Sequence, residues 1–124
     1  MSRRINTLDE KGLPPAGVEY RLAHHFRARP DAAASRILYE LVARPRRFRD
    51  LKEALRVPSD NTITVALRTL RDEGVIDQRV DAGTRPPTYW YELNGLGIEV
   101  FSLMQHFAYA EAEARRHAES SVPV

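Results

Sequence analysis

The segment Leu55-Arg56-Val57-Pro58-Ser59 ends one helix and starts another within a few residues, and this break restricts the possible folds more than any other feature. A residue before proline is pushed out of the α region, so Val57 cannot continue a helix. Ser59 is a good N-cap, because its hydroxyl accepts an orphan backbone N–H one turn in. Upstream, Phe48, Leu51 and Leu55 recur at spacings of three and four and fall on one face. Downstream, Ile63, Ala66, Leu67 and Leu70 share one side, with Asn61, Thr64, Val65, Arg68 and Thr69 opposite or at its margins. Gly74 is placed to end this second helix, since glycine tolerates the left-handed conformation a helix C-terminus often requires.

Two helices joined by a tight turn, the second with a polar and Arg-bearing outer face, form a helix-turn-helix. Residues Val75 to Asp81 and Thr88 to Leu93 then supply β-branched and aromatic side chains in two runs. Between them the run AGTRPP breaks both strands and holds Arg85 at its tip. A period of two puts Tyr89, Tyr91 and Leu93 on one strand face and Trp90 and Glu92 on the other. The runs RFRDLKEAL, S-x-x-x-I-T-x-x-L-R-x-L-x-x-x-G-V-I and R-P-P-x-Y-W-Y-E-L-N-x-L-G follow in order between Arg36 and Met104. In that succession the sequence resembles the HxlR-type winged-helix transcriptional regulators, with MarR-like and PadR-like regulators as architectural relatives. The resemblance implies a dimeric bacterial or archaeal DNA-binding regulator. Members often carry a cysteine before the first core helix, in some of them a redox sensor; this sequence has none, which excludes thiol sensing.

The 124 residues suit one domain, and 43% hydrophobic with 29% charged residues is ordinary for a soluble globular protein. Zero cysteines also remove disulfides, cysteine-ligated zinc and iron–sulfur clusters. No apolar run reaches a membrane span, and MSRRINTLDEKG lacks the apolar centre of a secretory signal, so the sequence predicts a cytoplasmic protein. Net charge is only +2. Across Arg21–Arg56, however, arginines predominate and the acids are Asp31, Glu40, Asp50 and Glu53. Arginine binds phosphate bidentately, and its placement beside a helix-turn-helix points to nucleic acid. Coding bias toward arginine accounts for the composition taken alone.

In chain order, residues 1–15 read as a flexible basic arm in which Arg3 and Arg4 can reach DNA, or as a tail without a role. Val18, Leu22 and Phe26 at four-residue intervals predict a helix from Ala16 to Arg29 that packs across a dimer partner. His24 and His25 point about 100° apart, a poor spacing for a metal. Asp31 is the expected cap of the next helix, which buries Ile37, Leu38, Leu41 and Val42 and runs to Ala43. After the wing, Asn94 caps a long helix from Gly95 toward His117. Its apolar set is wider than one core needs. The domain then covers residues 16–118, and residues 119–124 fray. The expected dimer interface holds Leu22, Phe26, Phe101, Met104 and Phe107.

The fold expected is mainly α with a small β-hairpin wing, a winged helix-turn-helix whose N- and C-terminal helices form a dimer interface. The expected partners are double-stranded DNA and a second copy of the chain. Asn61, Thr64, Val65 and Arg68 are the base-reading candidates. Arg46, Arg47, Arg49 and Ser59 are the candidates for the DNA backbone, and Arg79 and Arg85 for the wing. Each has a plain alternative as a solvated surface residue. Tyr39, Tyr89, Phe101 and Phe107 are candidates to border an effector cavity, or plain core. The sequence offers no phosphate loop, nucleophile elbow, metal constellation or cofactor motif, so an enzyme is not expected. Two other readings stay open: a winged helix for protein–protein contact, and a non-specific architectural DNA binder.

Overall fold

The computed structural model describes residues 17–57 and 59–120, so the N-terminal arm, Pro58 and the last four residues lie outside it. Helix α1 (Val18–Ala28) and α2 (Ala33–Ala43) lead to a two-residue strand β1 (Arg46–Arg47). The pair α3 (Phe48–Leu55) and α4 (Asp60–Asp72) follows, then the hairpin β2 (Ile76–Asp81) and β3 (Thr88–Leu93), then α5 (Gly95–Ser120). The strands form one antiparallel sheet in the order β1-β3-β2. The wing therefore has a third strand beyond the expected hairpin. Arg46 and Arg47 pair with Tyr91 and Trp90, and two residues are too few to show an alternation.

Each helix end has a local cause. Ser59 Oγ accepts the Asn61 N–H at 3.1 Å and caps α4, as its side chain predicts. At the other end Val75 N–H donates to Leu70 O at 3.1 Å and Gly74 N–H to Arg71 O at 3.0 Å, around Gly74 at φ 80°. This reciprocal pair needs a left-handed residue, and glycine takes that conformation without a Cβ penalty. Helix α3 ends differently, with Arg56 itself left-handed at φ 56° and Arg36 donating to Leu55 O at 2.8 Å. Asn94 Oδ1 accepts Gly97 N–H at 3.0 Å and caps α5. Asp31 does not cap α2. Its N-cap is Ala32, without a side-chain bond, because the turn closed by Ala32 N–H to Arg29 O delays the helix past Asp31.

One core joins all five helices and the sheet. It holds Leu22 and Phe26 of α1, Ile37, Leu38 and Leu41 of α2, Leu51 and Leu55 of α3, Ile63, Leu67 and Leu70 of α4, Val75, Tyr91, and Val100 and Met104 of α5. Burying each large aliphatic or aromatic side chain contributes about 1.5–3 kcal/mol. Helix α1 thus packs on α5 and α2 of its own chain. Leu22, Phe26 and Met104, expected at a subunit interface, are each at most 2% exposed inside this core. Amphipathicity marks which side of a helix is buried, and the nearest apolar surface is intramolecular. Val42, expected in the core, is instead exposed, since it lies at the rim of α2's buried stripe. Helix α5 runs through Ser120, past the expected end near His117.

The sharpest packing restriction lies at Gly97, where an added Cβ would stand 2.2 Å from the Val75 carbonyl oxygen. Glycine to alanine in a helix is normally stabilising by up to about 1 kcal/mol. At Gly97 backbone blocks the methyl group, so Gly97→Ala should destabilise the fold by about 1–3 kcal/mol. Gly95→Ala, with nothing within 4 Å of the new atom, should be neutral or stabilising. Thermal unfolding of both variants checks the contrast, and equal midpoints would refute it.

Candidate nucleic-acid interface

Helix α4 turns 100° per residue, so burial of Ile63, Ala66, Leu67 and Leu70 forces Asn61, Thr64, Val65 and Arg68 outward, and all four are exposed. Thr64 Oγ1 donates to Asp60 O at 3.0 Å. Its hydroxyl proton is committed to its own helix, and the methyl group and oxygen lone pairs remain free for contact. Asp60 is paired by Lys52 across the turn. Ser59 is exposed, and its cap uses only an acceptor lone pair, which leaves the hydroxyl proton to donate.

The arginines before and along α3 divide by register. Arg46, opposite Tyr91, lies on the inner side of the sheet. Its guanidinium meets Glu40 of α2 at 3.2 Å, its side chain is 19% exposed, and its Nε is buried without an acceptor. Expected at phosphates, Arg46 instead ties β1 to α2. Arg47, opposite Trp90, lies on the outer side, with its guanidinium carbon 5.6 Å from the Trp90 ring centroid. Its Nε and Nη2 donate to Asp50 at 3.1 and 3.0 Å, and its backbone N–H donates to Asp50 Oδ2 at 3.0 Å. These bonds hold the Asp50 carboxyl below the usual range and raise the Arg47 guanidinium above its own. Trp90 therefore packs under an arginine on the sheet. Arg49 is exposed and has no ion pair among the described residues.

On the wing, Arg79 lies 3.8 Å from Glu92, a loose pair, and Arg85 is exposed at the tip. The inner face of the hairpin leans toward the helix pair and forms two clefts that share Phe48 and Tyr91. The larger, about 530 Å³, runs between the wing tip and the start of α3 and includes Arg49, Arg85 and Tyr89. The smaller, about 190 Å³, lies beside α4 and includes Thr64 and Arg68 together with Arg71. Arg71 was not among the expected residues. Its spacing, three after Arg68 and seven after Thr64, was the available signal. Burial raises the Tyr91 phenol above its usual range, and the positive charge of Arg71 acts in the opposite sense.

The remaining expected residues lie on α1, α2 and α5. Phe107 is half-buried under the His24 ring, 4.3 Å between centroids, and Phe101 meets Tyr39 edge-on at 5.2 Å. Around them Tyr39, Val42, Ile98 and Tyr109 are exposed. No helix among the described residues is long and apolar enough to cross a membrane.

The model of the HxlR-like helix-turn-helix matches residues 33–118, from the start of α2 to near the end of α5. The chain belongs to the HxlR-like helix-turn-helix family. It thereby joins a family of DNA-binding transcriptional regulators. Solved structures agree on the fold. A protein described as a MarR-family transcriptional regulator from Enterococcus faecalis V583 superposes with TM-score 0.66 at 19% identity, covering 94% of this chain and 99% of its own. The reduced form of the transcriptional regulator YodB from B. subtilis gives 0.53 at 21% identity, covering 72% of this chain and 83% of its own. The adhesin competence repressor AdcR from Streptococcus pyogenes gives 0.55 at 18%, over 74% and 66%. No curated protein is a sequence match to this HxlR-like chain.

The Asp50 bonds to Arg47 make the start of α3 sensitive to acid. A carboxyl whose pKa is lowered by folding stabilises the fold above its unfolded value, 3.8, and that stabilisation disappears as pH falls through the folded value. Asp50→Asn should therefore cost about 1 kcal/mol at neutral pH. The gap from the wild-type chain should close below pH 3.8. Denaturant midpoints at several pH values measure it, and a gap that widens on acidification would contradict the assignment.

Proposed function

We propose that this HxlR-like chain acts as a homodimer that reads an inverted repeat in double-stranded DNA. The observation that carries the reading is the outward face of α4. Asn61, Thr64, Val65 and Arg68 stand exposed there, with Arg49, which has no ion pair among the described residues, and the wing-tip Arg85 lining the neighbouring cleft. Helix α4 lies in the major groove, where Arg68 matches guanine, Asn61 matches adenine, and the methyl groups of Val65 and Thr64 suit a thymine methyl. Arg85 enters the adjacent minor groove, favoured where A·T pairs narrow it. Arg49 and Ser59 meet the backbone.

A second copy is supported by α5. Ile98 and Tyr109 are three turns apart on one side of the helix and are 59% and 64% exposed in the single chain. With Tyr39, Val42 and Phe101 they make an apolar surface of the kind that marks an interaction site. A twofold axis there pairs two recognition helices, and half-sites then lie about 34–36 Å apart.

Selection of bound sequences from a random duplex library, at one fixed salt concentration, tests the reading. An inverted repeat with centres about one helical turn apart is the expected product. Bulk affinity without any preferred sequence would overturn it in favour of an architectural binder. On the selected site, Arg68→Ala should cost about 1–3 kcal/mol and relax the preference at one base pair; equal reductions on selected and random duplex would remove its base-reading role. The double variant Ile98→Glu/Tyr109→Glu should sediment as a single 14.2 kDa chain with its helical spectrum intact. A mass unchanged from the dimeric wild-type chain would move the interface elsewhere.

A further inference from the structure

The small cleft beside α4 has the chemistry of an anion seat. Its walls are Phe48 of α3, Thr64, Leu67, Arg68 and Arg71 of α4, and Tyr91 of β3. Arg68 and Arg71 are both exposed, and neither has an acidic partner among the described residues. Gln78 Nε2 donates to the Tyr91 hydroxyl oxygen at 3.5 Å, which leaves the phenolic proton free to donate. Two guanidiniums and one phenol thus face a space of about 190 Å³ in which donors predominate. The Thr64 hydroxyl proton is committed to Asp60 O. Phe48 and Leu67 supply the apolar floor. A guanine edge presents two neutral acceptors, whereas a phosphodiester presents two acceptor oxygens that share a negative charge, which matches paired guanidiniums without an acidic partner.

We infer that this cleft seats one backbone phosphate of the bound duplex, with Arg71 as its principal ligand. The inference rests on the DNA-binding reading above and adds a division of labour to it. Arg71 holds the strand and sets the register of α4. Arg68, one turn nearer the N-terminus of α4, keeps its reach to a base. A phosphate contact carries no sequence information, so the two arginines separate by the kind of defect that each substitution causes.

The test measures affinity for the selected operator and for a random-sequence duplex of equal length across a salt series, with wild-type, Arg71→Ala, Arg71→Lys and Arg68→Ala chains. Arg71→Ala should weaken both duplexes by about tenfold and lower the salt slope by about 0.9, the change expected when one phosphate is no longer neutralised. Arg71→Lys should keep the slope. Melting curves that match the wild type show that each variant is folded. Wild-type slope and affinity in Arg71→Ala, or a weakening confined to the operator with an unchanged slope, overturns the seat and leaves the DNA reading standing. A wild-type chain without duplex affinity overturns both.

Discussion

The carbonyl oxygen of Val75 fixes how the working parts of the chain sit together. Val75 directly follows the glycine that ends α4 and directly precedes β2. Its oxygen accepts the Asn94 N–H at 3.2 Å, and it lies where a Cβ on Gly97 would stand. The Asn94 side chain closes the same junction in two directions. Its Nδ2 donates to Gly74 O at 2.8 Å, and its Oδ1 accepts from Gly97 N–H. The end of α4, the base of the wing and the first turn of α5 are therefore bonded through Gly74, Val75, Asn94 and Gly97. Shape specificity here comes from backbone approach, which side-chain substitution elsewhere cannot restore.

Charge is distributed with equal economy. Arg27, Arg36, Arg46 and Arg47 are tied to the protein's own acceptors, by Glu111, the Leu55 carbonyl, Glu40 and Asp50. Arg49, Arg68, Arg71 and Arg85 have no such partner among the described residues, and all four line the two clefts that face α4 and the wing. A net charge of +2 hides this separation. Exposed guanidiniums without counter-ions repel one another, and an anionic strand laid across them relieves that repulsion while releasing its own counterions.

Much of this was legible in the sequence, and the parts that were not share a cause. The faces of α3 and α4, the Ser59 and Asn94 caps, the Gly74 stop and the inner face of β3 depend on local spacing and local hydrogen bonds. Periodicity reports those directly. Leu22 and Phe26 were legible as buried but not as buried against their own α5, because an apolar stripe does not name its partner. Arg46 read as one more phosphate-binding cation in a basic run, and only the register with Tyr91 turns it inward. Asp31 had the right side chain for a cap, and the turn at Arg29–Ala32 placed the helix start one residue too late for it. The cleft of Arg71 needed Phe48 and Tyr91, which are distant in sequence and meet only when the sheet folds onto the helix pair.

Helix α5 carries its apolar residues from Leu96 to Tyr109 on more sides than one core can use, and then turns to Ala, Glu and Arg. Gly97, Val100 and Met104 recur at three and four and close the core, while Ile98 and Tyr109 face away from it. The stripe on the inner side is anchored at its first turn to Gly74 and Val75, two of the three residues that join α4 to β2. Because Gly97 meets the Val75 carbonyl backbone to backbone and the Asn94 side chain closes the rest, the junction has little room to absorb a tilt of α5. The direction of α5 is, for that reason, tied to the end of α4 and the base of the wing.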